Sequence, residues 1–487
     1  MHDGRCGEPT PCAMRERQEE RSRKHQQRTE AVDQRATRHL VLAGLEDRVH
    51  DRVRRAGADD HRRGELGRIR HFGIDRRMDN ITHTLIGALL GETIARTTQG
   101  DPGGLPGEVR RNLLVTTSAI GSNLPDVDVF YSFIGGKINY LLQHRGYSHT
   151  IIGALLLAVA TFAIARWVLA RRGHAPSSQD LTWLAGVLAI TPLLHIGMDF
   201  TNNYGVHPFW PLSNRWFYGD AVFIAEPLLW AACAPLAFTF RSKLARSIVA
   251  AVLAIGIGLA LFTGLVPRVS AIALVVIIAA MLLLGLRARP QVALIGGIAL
   301  WLAVTATFAI GSQLAARRVE ALAATAFPAA RSIDHVLTPM PANPLCWEVM
   351  LVQTQDADVV ARRTILALAP SLIPADGCLS RSLNIPSSAP LRRVPAADDA
   401  ELHWYGEIAT QLDRLESRVA TDCEAAAAMR FIRVPWLATV GSATVLGDLR
   451  YDRERSLGFA EVALHDPPGP CPRLVPDWRP PRADLLH

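Results

Sequence analysis

Apolar residues are not spread evenly along this chain. Between residues 149 and 314 they gather into runs of Ala, Leu, Ile and Val broken by short basic turns, whereas 1–77 and the stretch beyond about 315 show no such runs. Six runs, near 149–170, 181–200, 221–240, 245–265, 268–286 and 291–314, reach the roughly 20 residues a helix needs to cross a bilayer. Two shorter apolar segments, about 81–95 and 111–124, precede them, each a short span or half of a re-entrant hairpin. In the first, Gly87 and Gly91 form a GxxxG pair that lets another helix approach closely. From about 315 the character becomes that of a water-soluble domain. Residues 347–354, 438–451 and 458–464 read as strands, and 401–431, rich in Ala and Glu, as helix. The pattern predicts a mainly α chain: a polytopic transmembrane helical bundle over 78–314, then an α+β extramembrane domain over 315–487.

Basic residues set the orientation. Arg166, Arg171 and Arg172 cluster at one connection, Arg241, Lys243 and Arg246 at a second, and Arg287 with Arg289 at a third. Placing all three in the cytoplasm gives an alternation that holds through every span. The loop 201–220 and the C-terminal region then face outside, while Arg96, Arg110 and Arg111 fall inside.

The formal charge of +7 changes this picture little. Much of the excess lies in 1–77, where eighteen arginines accompany few aromatics and no apolar periodicity. Such a composition cannot bury a core. The segment reads as a disordered basic extension, a gene-model artefact upstream of a natural start at Met78; a genuine basic arm is the other reading. The remaining positive charge includes turns that flank spans, so the expected partner is the lipid bilayer and no nucleic acid. Four of the seven cysteines, Cys346, Cys378, Cys423 and Cys471, fall in the exterior region, where they allow three disulfide pairings or stay unpaired.

Ionisable residues stand out against this apolar background, because such groups near a bilayer are costly and mark function. They read Thr82-His83, Asn123-Leu-Pro-Asp126-Val-Asp128, His144-Arg-Gly-Tyr-Ser-His149 and His195-Ile-Gly-Met-Asp199. The topology sets all of them at the outer face, which the charge rule did not have to give. His and Asp belong to the ligand set of zinc, manganese and iron. His195 and Asp199, spaced i, i+4, share one helix face and can reach one metal. Pro125 ends a helix, and the following turn can set Asp126 and Asp128 on the same side, to bridge two ions or divide between ligand and base. The expected ligands are His83, Asp126, Asp128, His149, His195 and Asp199, with His144 a ligand or its neighbour. Asp128 is also the candidate catalytic base, and Arg145 is suited to orient a phosphate or carboxylate bidentately. Singly, His83 or Asp126 reads as a cap or a solvated end; seven such residues on one face favour a metal. His174, His207, His335 and His403 lack such company and read as surface or loop residues. Trp210, Trp216 and Tyr218 read as an interfacial aromatic belt.

Met78-Asp-Asn-Ile-Thr-His83, the Asn-Leu-Pro-Asp-Val-Asp run, the His-Arg-Gly-Tyr-Ser-His run and His195-Ile-Gly-Met-Asp199 together resemble the YdjM-like family of predicted membrane-bound metal-dependent hydrolases. The likeness continues through Asn202, Gly205, Pro211 and Asp220 to Glu226-Pro227, where the family usually has Asp-Pro. Asn343-Pro-Leu-Cys-Trp347 and Gly447-Asp-Leu-Arg-Tyr451 extend it to roughly 78–465. The resemblance implies a multi-pass protein of the bacterial inner membrane with its C-terminal domain outside the cytoplasm. It also implies hydrolysis with a divalent metal, zinc first and manganese or iron otherwise. The HxxxD pair is more distantly similar to the zinc-dependent phospholipase C and nuclease group. That implies a di- or trinuclear site acting on an anionic or phosphoester substrate, a small molecule or a lipid. The alternatives are a non-catalytic membrane protein whose metal or ion pairs fasten helices and, third, a transporter, for which nothing marks paired repeats or broken helices.

Overall fold

The computed structural model describes residues 73–264, 266–378 and 386–486; the extension expected over 1–77 lies, up to residue 72, outside the described residues. The helical half runs α1 (Gly73–Thr97), α2 (Gly107–Gly121), a 3-10 turn (Pro125–Tyr131), α3 (Ser132–Gln143) and a second 3-10 turn (Tyr147–His149). There follow α4 (Ile151–Arg171), α5 (Ser178–Phe200), the short α6 (Pro227–Ala232) and α7 (Leu236–Thr239), then α8 (Lys243–Phe262), α9 (Arg268–Arg287) and α10 (Pro290–Ala326). Of these, α4, α5, α8, α9 and α10 are long and apolar enough to cross a membrane. They leave large apolar side chains such as Leu156, Val159, Ile272 and Ile310 exposed. A surface of that kind suits lipid better than water.

The two glycines of the GxxxG pair sit where α1 meets α2. A Cβ at Gly87 would lie 2.3 Å from Ser122 Oγ, and one at Gly91 would lie 2.8 Å from the Leu114 carbonyl oxygen. Only hydrogen fits at either place, so the backbones approach closely. Gly121 does the same for α2 against Thr191 of α5.

The single span expected over 221–240 is corrected, and with it the expectation of no broken helix. Pro227 and Pro235 lack the amide protons a continuous helix needs, and the segment forms α6 and α7 joined by a turn. It is buried almost throughout, packed against α8, α9 and α10. Broken backbone at such a depth is tolerated where protein covers it. At one end the buried Glu226 carboxylate caps α6 by accepting from Leu228 N at 2.9 Å and receives Ala342 N at 3.1 Å. Its longer arm serves as a clasp to the β1–β2 turn. At the other end the Thr239 carbonyl accepts from Arg96 and Arg111, which both pair with the buried Glu92.

The 37-residue α10 continues past the end of its apolar run, through Ala-rich sequence of high helix propensity, into the C-terminal half. There β1 (Arg331–Met340), β2 (Asn343–Gln355), β3 (Asp358–Ala367) and β4 (Leu402–Gln411) form an antiparallel sheet in sequence order. Then come α11 (Leu412–Thr421), α12 (Cys423–Met429) and a second sheet of β5 (Pro435–Val440), β6 (Ala443–Asp448) and β7 (Glu461–Leu464). Two expectations are corrected here. Residues 402–411 are strand, not helix, because Leu402, Trp404 and Ile408 alternate inward and pair with β3. Residues 438–451 are the turn and second arm of a hairpin, since Gly441 at φ +62° turns the chain between β5 and β6. Disulfides join Cys346 to Cys378 and Cys423 to Cys471.

The C-terminal region grips the loop that follows α5. Buried Arg433 holds both Asp220 oxygens, at 2.9 and 2.8 Å, and Asp334 at 2.8 Å. Trp216 is buried and donates to the Arg430 carbonyl at 2.8 Å, with Tyr218 stacked beside it. The aromatic belt expected of these residues is thereby corrected: of the three only Trp210 is exposed, because the C-terminal region covers the other two.

Candidate metal centre

Four separate segments deliver the ionisable residues to one place. Pro125 starts a 3-10 turn, and its tighter winding sends Asp126 and Asp128 to opposite edges of the His149 ring. The expected same-side arrangement still holds in part, since an oxygen of each carboxylate falls in one 4.8 Å group with His144. His149 ends the second 3-10 turn just before Thr150, whose side chain caps α4 by accepting from Gly153 N at 2.9 Å. His195 and Asp199 occupy one face of α5, one turn apart. His83 comes from α1.

The atoms that meet are specific. His149 Nε2 lies 3.1 Å from His195 Nε2, 3.1 Å from Asp199 Oδ2 and 3.4 Å from Asp126 Oδ1. His195 Nε2 lies 3.3 Å from Asp199 Oδ2 and 3.5 Å from Asp126 Oδ1. One ligand atom from each of these four residues fits within a 4.8 Å cluster. Asp126 also belongs to a second such group, with Asp128 and His144. His83 stacks on the His195 ring at 3.9 Å and brings its Nε2 to 3.3 Å from Asp199 Oδ1. Asp126 and His144 are partly exposed while His83, His149, His195 and Asp199 are buried, so the cluster meets solvent on the Asp126 side.

A surrounding layer fixes the ring orientations. His195 Nδ1 sits 2.7 Å from the Ser122 carbonyl oxygen, which can only accept, so Nδ1 carries a proton. His149 Nδ1 lies 2.9 Å from Asp128 Oδ2, and the same inference applies. Asp128 Oδ2 also accepts from the Arg145 amide at 2.9 Å and Ser148 Oγ at 2.8 Å, while its Oδ1 faces His144 Nδ1 at 3.0 Å. Both Asp128 oxygens are thus engaged. Arg145 adopts φ +59°, a strained conformation for a residue with a Cβ. That geometry lets its amide reach Asp128 while its side chain reaches Asp199 Oδ1 at 2.9 Å and Asn202 Oδ1 at 2.7 Å. The guanidinium is buried, over the Tyr204 ring.

The field of the site follows from this packing. Burial alone would raise Asp126 and Asp128, yet Asp126 is held well below the usual carboxylate range by the charge on His195 and hydrogen bonds from His149 and His195. His149 and His144 hold Asp128 down in the same way. Burial would lower His149, but the Asp128 charge and the hydrogen bonds His149 donates to Asp126, Asp128 and Asp199 push it well above the ordinary imidazole value. Three carboxylates around two imidazoles therefore call for positive charge.

His207 was dismissed from sequence and is corrected here. It is buried, its ring 3.8 Å from that of Trp216 and 3.9 Å from that of Trp478, with Nδ1 3.4 Å from the Arg145 carbonyl. It supports the strained Arg145 turn from below. Asn202 and the Ser122 carbonyl were also missed as parts of the site. Asn202 was named only for family likeness, and a backbone carbonyl leaves no signal in sequence.

Residues 78–270 match the family model described as YdjM inner membrane protein. That segment is YdjM-like. No curated protein and no solved structure matches the chain. The YdjM-like segment contains every residue of the cluster, and it stops short of the C-terminal region to which the motif likeness extends. The family's description and the five long apolar helices agree on an inner-membrane setting.

Proposed function

We propose that the chain is a metal-dependent hydrolase of the inner membrane, with its site at the outer face and an anionic phosphoester as substrate. One observation carries the metal: His149 and His195 bring their Nε2 atoms within 3.1 Å while each Nδ1 faces an acceptor. Once the Nε2 protons are displaced, two imidazole lone pairs and two carboxylate oxygens would point at one spot. A cation resolves that repulsion, and outer hydrogen bonds of this kind are what orient ligating histidines. The donor set fits zinc, with manganese or iron as the other choices. Asp126, His149, His195 and Asp199 would hold the ion, with His83 beside Asp199.

A bound divalent cation supplies Lewis acidity, lowering the pKa of water towards neutrality and polarising the scissile bond. The chain supplies the rest. Asp128 orients His149 and His144, so the role of base passes to the partly exposed His144: its Nδ1 is held by Asp128, which leaves Nε2 to take a proton. Arg145 acts as a positioning residue that fixes Asp199 and, through its amide, Asp128. The deciding experiment measures divalent metal in detergent-purified protein together with hydrolysis of phosphodiesters. The wild type should hold metal and turn over, and His195→Ala and Asp199→Ala should lose both. A wild type that takes up no divalent cation on reconstitution overturns the proposal. Metal held without turnover on any phosphoester leaves a structural site that fastens helices.

A further inference from the structure

A cavity of about 190 Å³ lies beside the cluster, reaching from His83 and Asn202 along α5 and α10. Its walls include Leu194, Val222, Phe223, Ile224 and Leu229, and its rim Gly197 and Met198 of α5 with Trp301 and Thr305 of α10. Gly197 is exposed, and Met198, Phe223 and Trp301 are only partly covered. Since α5 and α10 are both long and apolar enough to cross a membrane, this rim opens between two helices towards hydrocarbon. Trp301 adds a polar feature: its indole Nε1 is buried with no hydrogen-bond partner. Such a donor is an exception that calls for an acceptor.

We propose that this cavity seats the hydrocarbon chain of an amphiphile taken sideways from the bilayer. The anionic phosphoester head lies at the cluster, beyond His83 and Asn202, and its ester oxygen, at the junction with the chain, accepts from Trp301 Nε1. This names the substrate class of the site and rests on reading the cluster as hydrolytic. The volume suits a segment of one chain, being smaller than the roughly 300–1,000 Å³ that holds a drug-sized molecule. The apolar walls would give a water-soluble ester nothing to bind beyond its head. Gly197, flanked by His195 and Asp199, leaves the rim open: a Cβ there would have no neighbour within 4 Å. A larger side chain at that position would enter the cavity without striking the protein.

The test reads binding directly. Protein in nanodiscs is photolysed with hexadecyl phosphate carrying a mid-chain diazirine, and adducts are mapped by mass spectrometry. Adducts are expected on the cavity-lining parts of α5 and α10, and Gly197→Leu should lower their yield at least tenfold. Gly186→Leu is the control, since it lies on α5 outside the cavity and its Cβ also meets open space; it should leave the yield unchanged. Metal content and melting temperature verify each variant. Should Gly197→Leu fail to fold, Trp301→Phe keeps the ring, removes the donor and should lower the yield several-fold. Excess phosphatidic acid or an isoprenyl phosphate should displace the probe, and the better competitor identifies the source of the chain. Equal labelling of wild type and the cavity variant, labelling confined to other faces, or displacement by neither lipid overturns the proposal. Labelling in the cavity without turnover of any substrate keeps this pocket and refutes the hydrolase; turnover without labelling refutes the pocket alone.

Discussion

Replacing Gly87 by alanine asks whether helix packing, and not only the ligands, sets the metal site. The new Cβ would lie 2.6 Å from the Ser118 carbonyl oxygen and 2.3 Å from Ser122 Oγ. The serine hydroxyl can rotate away, but the carbonyl belongs to the α2 backbone and cannot. Ordinary contact begins at 3.4 Å, so α1 and α2 must part by about 0.8 Å (3.4 − 2.6) at this point. Overpacking on that scale costs about 1–3 kcal/mol. The sharper effect falls on the ion, because the Ser122 carbonyl at the C-terminal end of α2 holds His195 Nδ1 at 2.7 Å. Weakening the outer partner of a ligating histidine typically lowers metal affinity about 10–100-fold. Zinc affinity, measured by competition with a chelator in detergent, should therefore fall by about tenfold or more. Gly91→Ala separates the two effects: its Cβ meets Leu114 and Ser118, one turn further from Ser122. It should lower the melting temperature comparably and shift the metal Kd less. Equal metal affinity in the wild type and both variants would refute the chain of reasoning from Gly87 to His195.

Asp128→Asn keeps an oxygen but loses the charge that faces His144, His149 and the Arg145 amide, so metal affinity should fall about 10–100-fold, read by the same competition; an unchanged Kd removes Asp128 from the site. His207 is pushed by burial down to about 3, so it stays neutral in the fold while the unfolded chain takes up a proton below about pH 6.5. Between those values the unfolded state binds more protons, so this residue makes stability rise with pH and level off above about 6.5, by at most about 1.4 kcal/mol per pH unit. Melting temperature against pH should lose that component in His207→Gln. Arg433→Ala leaves Asp220 and Asp334 buried without their cation and should destabilise the fold by about 3–5 kcal/mol, measured by denaturant unfolding of the protein.

The motif segments told where ionisable groups lie, since each interrupts an apolar run, and the i, i+4 spacing of His195 and Asp199 carried directly into α5. The GxxxG pair likewise announced a close helix contact, though not that α2 would supply it. What stayed hidden depends on partners distant in sequence. Which nitrogen of His149 each of Asp126 and Asp128 meets depends on the 3-10 winding of Pro125–Tyr131, a choice made by packing around Pro125. His207 looked solitary because Trp216 and Trp478, which enclose it, lie 9 and 271 residues away. The 227–239 segment reads as a span by composition, and its two prolines were the available sign of the break. Strand β4 was taken for helix because Ala and Glu downstream dominated the window, while its own two-residue alternation was short.

At about 1.5 Å per residue the 37 residues of α10 measure about 55 Å, against roughly 30 Å for the hydrocarbon of a bilayer. One unbroken rod therefore carries both Trp301 beside the cavity and, farther along, Ser312, whose hydroxyl donates to the Asp220 carbonyl at 2.8 Å. Gly311 packs so tightly under Trp347 that a Cβ there would lie 2.9 Å from the indole. Adding a single residue between Val304 and Gly311 would turn everything beyond it by about 100° and raise it by about 1.5 Å. Ser312, Gly311 and the strand that follows would lose their seats together. The rod can exchange one side chain for another along its exposed apolar side, but it cannot change length: its phase is what keeps the sheet at one end in step with the cavity at the other.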